Sequence, residues 1–156
     1  ITVRGRRLLA HADVVVAEEG AQFGFTEVRI GVAPAVISVV CLPRMRVADA
    51  RAAFLRGNRF PAAEAARMGL ITSAVPRDQL DAEVAAVVAD LLAAGPDALA
   101  ATKQVLVQVP TMDEDTAFTW AKELSSGLFA SEEAAEGMQA FLEKRPPSWV
   151  TERIWS

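Results

Sequence analysis

Cysteine and histidine are nearly missing from this chain: 156 residues carry one of each, Cys41 and His11. One cysteine excludes an internal disulfide and any zinc site built on thiolates, and one histidine excludes a His-rich metal centre. A Ser-His-Asp triad would have to rest on His11 alone, which sits between Ala10 and Ala12 ahead of an apolar strand and reads as structural or merely exposed. Cys41, inside "VISVVCLP", reads as core packing. Positive charge is short as well. Lys and Arg number 16 against 20 Asp and Glu, for a net charge of −4 and a pI of about 5.1. No face is therefore basic enough to form a nucleic-acid groove. Arg4, Arg6 and Arg7 are the local exception, and three exposed arginines near a terminus usually do nothing specific. Long hydrophobic runs are also lacking. The longest uncharged stretch, Ile30 to Pro43, is 14 residues, broken by Pro34 and Ser38 and too short to span a bilayer. The basic first residues are not followed by an uninterrupted apolar segment, so no signal peptide is visible and the natural reading is a reducing cytoplasm. The chain opens at Ile1 without an initiator Met, which leaves open a fragment or processed product.

What is abundant is apolar surface. Hydrophobic residues make up 52% and mean hydropathy is +0.23, a surplus that suggests extra buried area in an oligomer. The length suits one domain with a real core.

Along the chain, "ADVVVAE" (12–18) is a β-branched run closed by charge and predicts a buried strand, and "AQFGF" (21–25) predicts a second. Gly31 to Pro34 break the chain, and Pro34 suits the first turn of a helix through about Val40. "VADARAAFLRG" (47–57) reads as a helix stopped by Gly57, and "FPAAEAARMGL" (60–70) as a short helix from Pro61 to Gly69. "ITSAVP" (71–76) reads as a strand ended by Pro76. From Asp78 onward no strand signal remains. "DQLDAEVAAVVADLLAAG" has Asp78 as its expected cap and Gly95 as its stop, and three more helices follow: one from Pro96, one over "DEDTAFTWAKELSSGLFA", and one capped by Ser131. The pattern is α/β for residues 1–76 and all-helical for 77–156. The first half has too few strands to complete a sheet of its own, so something is missing or a neighbour supplies it.

Glu27 is the only acid in "AQFGFTEVRIGVAPAV" (21–36). It reads either as a surface glutamate on a strand edge, paired with Arg29, or as a base kept in an apolar pocket.

The stretches "ADVVVAEEGAQFGFTEVRIGVAP", "FLRGNRFPAAEAARMGLITSAVP", "PDALAATK" and "EGMQAFLEKRPP" occur in an order and spacing that resemble the crotonase (enoyl-CoA hydratase/isomerase) superfamily over nearly the whole chain. The resemblance implies a partial crotonase (ClpP/crotonase-like) ββα core followed by C-terminal helices that pack trimers together. It also implies acyl-CoA thioester substrates, with coenzyme A part of the substrate and no further cofactor or metal. Such enzymes hold the thioester oxygen with two backbone N–H groups while a carboxylate handles the proton or water at the α,β-carbons. Glu27, in the context Phe23-Gly24-x-x-Glu27, falls on the position of the family's catalytic glutamate. Pro34 and Ala35 fall on the substrate-facing loop, Ala35 standing where a glycine is common. The "TEVRIGVAPAVIS" version of that loop is similar to a subgroup that includes methylglutaconyl-CoA-type hydratases. Phe141 and Lys144 match positions that reach an acyl-CoA, in some members from an adjacent subunit. From the residues alone, Phe141 reads as core and Lys144 as a last-turn cation favouring the helix dipole.

Two departures stand out. Many family hydratases carry a second glutamate about six residues before the Asp of the "DVVVA" strand; here that Asp is Asp13 and the matching residue is Arg7. A Gly-rich stretch that supplies one oxyanion N–H corresponds to Val3, Arg4 and Gly5, of which only Gly5 keeps the small, permissive character. The other donor, and much of the coenzyme A pocket, would come from a segment preceding residue 1. The expected activity is hydration of a 2-enoyl-CoA or Δ3,Δ2-enoyl-CoA isomerisation, placed in β-oxidation. The alternative from another class is a non-catalytic, truncated crotonase-like chain acting as an oligomerising or partner-binding module.

Overall fold

The computed structural model describes residues 12–150; Val3, Arg4, Gly5, Arg7 and His11 lie outside them. The chain divides into two compact units, one ending at Ala85 and the other starting at Ala86.

The first unit runs β1 (Val16–Glu18), β2 (Gln22–Gly24), a 3-10 turn (Thr26–Ile30), α1 (Ala35–Cys41), α2 (Val47–Arg56), β3 (Arg59–Pro61), α3 (Ala62–Arg67), β4 (Ser73–Val75), a 3-10 turn (Arg77–Gln79) and the start of α4 (Leu80–Ala93). β1 pairs in parallel with β4, with Val16 opposite Ser73. β2 pairs antiparallel with β3, with Phe23 opposite Phe60. α3 carries Ala62 and Ala65, both fully buried, and this lack of side-chain bulk lets its backbone lie against β2, β3 and β4. Val15, Phe25, Met45, Phe60, Met68 and Ile71 fill the core, each at most 7% exposed. Burial of side chains of this size contributes about 1.5–3 kcal/mol each.

Glycine is required where the chain reverses. α2 stops at Gly57, whose φ of 55° lets its N–H reach the Ala53 carbonyl at 3.2 Å. Gly69 at φ 84° is pressed against the Arg44 carbonyl, 2.6 Å from where a Cβ would stand.

The second unit continues α4 and adds α5 (Pro96–Gln108), α6 (Glu114–Phe129) and α7 (Glu132–Glu143), with a 3-10 turn at Val109–Thr111. Pro96 occupies the first turn of α5, where its missing N–H is harmless. Asp113 caps α6 by accepting from the Thr116 N–H at 3.0 Å, and Ser131 caps α7 by accepting from the Ala134 N–H at 3.1 Å. α5 is capped from a distance: the Glu133 carboxylate accepts from the N–H groups of Asp97 and Ala98, both at 2.9 Å. After α7 the chain is clamped. Arg145 forks onto Glu136 at 2.7 and 3.0 Å and its Nε donates to Glu143 at 2.6 Å, while the Trp149 indole donates to the Ala93 carbonyl at 3.2 Å.

The arrangement departs from the sequence reading in four places. Residues 59–61 are a strand, because Phe60 and Pro61 are drawn into pairing with β2, so the helix starts at Ala62. The 12–18 strand shortens to 16–18 at its start, where the Val15 N–H is taken by the Thr72 hydroxyl at 3.0 Å instead of a strand carbonyl. Asp78 sits inside a 3-10 turn and does not cap α4. Gly95 is the entry residue of α5, not the stop of α4: its backbone is extended (φ −62°, ψ 132°), and the Glu133 carboxylate occupies the space a Cβ would need.

Candidate active site

Glu27 is carried by the 3-10 turn that follows β2, not by a strand edge. Phe25, just before it, is 4% exposed and stacks on Phe54 with ring centroids 4.0 Å apart, with Phe60 tilted against it at 6.2 Å. This aromatic anchor fixes one end of the turn. The other end is closed by Gly31 in the left-handed region (φ 78°), whose N–H turns back onto the carbonyls of Glu27 and Val28. The Val32 N–H also donates to the Glu27 carbonyl, at 3.2 Å. A Cβ at Gly31 would meet nothing within 4 Å, so glycine is needed there for its φ alone.

The Glu27 side chain is half-buried, and its Oε2 is buried without a hydrogen-bond partner among the described residues. The pairing with Arg29 that a surface glutamate would show is not what holds it: Arg29 donates instead to the Arg56 carbonyl at 3.5 Å. A buried carboxylate oxygen with no donor costs about 1–3 kcal/mol. Chemically, a positioned carboxylate with a free lone pair can take a proton from water or from a carbon acid and hand it back.

Pro34 and Ala35 follow in the same unit. Pro34 is buried and holds the cap position of α1, and Ala35 is exposed as its first residue, with its N–H donating to the Ala33 carbonyl at 2.8 Å. Phe141 and Lys144 belong to the other unit. Phe141 is 83% exposed on α7, and Lys144 closes that helix in the left-handed region (φ 56°), the sole non-glycine residue at positive φ among those described. Phe141 is thus not core. Gly5 and Arg7 lie outside the described residues. Cys41 is buried, and that burial, opposed only in part by nearby Arg44, raises its thiol pKa and makes it a poor nucleophile.

Sequence reasoning missed the seat beneath this turn. Phe54, Arg56 and Gly57, at the end of α2, all touch the segment 25–29. No signal within 21–36 points to a contact with residues about 30 positions away.

Comparison with known proteins bears on this geometry. The family described as enoyl-CoA hydratase/isomerase matches residues 4–152. The chain is similar to the mevalonyl-coenzyme A hydratase sidH of Aspergillus fumigatus, 34% identical over 154 residues, covering 96% of this chain and 57% of that protein. It is similar to the enoyl-CoA hydratase EchA19 of Mycobacterium tuberculosis, 34% identical over 146 residues, covering 93% and 55%. Among solved structures, an enoyl-CoA hydratase/isomerase from Marinobacter aquaeolei superposes with a TM-score of 0.89 at 30% identity, covering 94% of this chain and 56% of that one. The chain therefore spans a little over half the length of the relatives it matches.

Proposed function

This chain belongs to the enoyl-CoA hydratase/isomerase family, and on that premise we propose that the protein adds water across the double bond of a 2-enoyl-CoA with Glu27 as general base. The observation that carries the reading is the buried, unpartnered Oε2 of Glu27, held on a turn anchored at both ends. Glu27 takes a proton from water, whose oxygen bonds to C3 of the enoyl group. The double-bond electrons move through C2 onto the thioester oxygen, where two backbone N–H groups, that of Gly5 among them, stabilise the enolate. Because Arg7 replaces the second glutamate, the same Glu27 carboxyl returns its proton to C2. The balance is one water consumed and one 3-hydroxyacyl-CoA formed. Pro34 and Ala35 border the acyl group, and Phe141 and Lys144 serve the thioester substrate of an adjacent subunit. In the variant chemistry, Glu27 moves one proton from C2 to C4 and converts a 3-enoyl to a 2-enoyl thioester.

We also propose that the helical region assembles the protein into a trimer, supported by the solvent-exposed Phe118 and Phe129 on α6 (69% and 70%). Rates on 2-enoyl and 3-enoyl thioesters, measured side by side, decide between hydratase and isomerase. A folded oligomer that converts neither would instead make the protein a non-catalytic module of this family.

A further inference from the structure

We propose that Gly57 is a positioning residue for Glu27, an inference that rests on the reading of Glu27 as the base. A Cβ at Gly57 would lie 2.5 Å from Val28 Cγ2, 3.3 Å from Arg29 Cγ and 3.4 Å from the Phe25 carbonyl oxygen. Those three residues flank Glu27 on both sides. The missing side chain leaves room for the Val28 methyl, through which the Glu27 turn rests on the end of α2, while the Phe25 carbonyl stands at ordinary contact distance. Phe54 and the Arg56 carbonyl hold the same turn from the same helix end, through the Phe25 stack and the Arg29 hydrogen bond. The φ of 55° already favours glycine, with asparagine the best tolerated of the other residues, and the crowding by Val28 adds a second requirement. Gly69 is the internal comparison: its φ is 84° and its would-be Cβ is crowded by the Arg44 carbonyl and not by a residue of the Glu27 turn.

Gly57→Asn keeps a residue tolerant of the left-handed region while adding the Cβ. In the protein at its natural length it lowers kcat for crotonyl-CoA hydration about 100-fold, with KM changed less than about threefold, as expected for a base displaced by an ångström or so. Adding Val28→Ala removes the methyl that the Cβ strikes and recovers kcat by about tenfold or more. Val28→Leu, which presses on the same contact from the other side, lowers kcat in the same sense and serves if the asparagine variant does not fold. Gly69→Asn lowers Tm and leaves kcat unchanged. Wild-type kcat in Gly57→Asn, or no recovery with Val28→Ala, overturns the inference. Full turnover in Glu27→Gln overturns the reading of Glu27 instead. Should the wild type be inactive, the carboxyl carbon NMR shift of Glu27 reports the same displacement: it moves in Gly57→Asn and returns with Val28→Ala, and an unmoved shift refutes the proposal.

Discussion

If the Glu27 carboxylate is kept for chemistry and not for stability, then Glu27→Met makes the protein more stable. The substitution keeps the unbranched length of the side chain and removes the buried Oε2, which has no donor among the described residues. Relieving an unpaired buried acceptor returns about 1–3 kcal/mol. Against that, the half-buried side chain loses the hydration of its accessible part, so the net gain is about 1–2 kcal/mol. For a chain of this size each kcal/mol raises Tm by about 2–4 °C. The assay is thermal unfolding by circular dichroism beside wild type, with hydration activity measured on the same samples. A higher Tm with activity lost is the expected trade of stability for function. A fall in Tm would show that the carboxylate is satisfied within the fold, and the argument from its unpartnered oxygen would collapse.

Other consequences are independent of catalysis. Glu133→Ala strips the distant cap from α5 and costs about 1–2 kcal/mol, and Gly95→Ala, which drives a methyl into the same carboxylate, costs a similar amount. Because both break one contact, the double variant is less destabilised than the sum, and strict additivity in urea unfolding would refute the shared contact. Glu136, with Arg145 first and the Ser148 N–H second, is held down to about 2 from its ordinary 4.5. A carboxyl with a depressed folded pKa contributes stability that is complete above about 4.5 and lost as pH falls toward about 2. Acid titration followed by tryptophan fluorescence therefore shows Trp149 releasing in that window, and Glu136→Gln flattens the step. An unchanged step in the variant would remove the clamp from the explanation.

Local chemistry was legible wherever it was local. Gly57, Pro96, Asp113 and Ser131 punctuate helices through their own φ or side chain, and each stands at or next to the boundary read from sequence. Two of the misreadings, at Phe60 and Gly95, are long-range, and the one at Asp78 is local. Phe60 became strand because β2, some 35 residues earlier, needed a partner. Gly95 became a helix entry because Glu133 reaches across to it, and Asp78 lost its capping role to a turn set by Pro76. The position of Glu27 could be read from its surrounding motif, as could its uncharged neighbours. Its unpaired oxygen and its seat on α2 could not, because both depend on residues the chain brings back only when folded.

The most direct test of the account is hydration of crotonyl-CoA, followed by loss of the conjugated thioester absorbance, for wild type and Glu27→Gln side by side. The account predicts wild-type turnover and a fall of about 10²–10⁴-fold in a glutamine variant that stays folded, the range expected when a positioned base is removed. Glutamine turning over within a fewfold of wild type would contradict it and remove Glu27 from the chemistry.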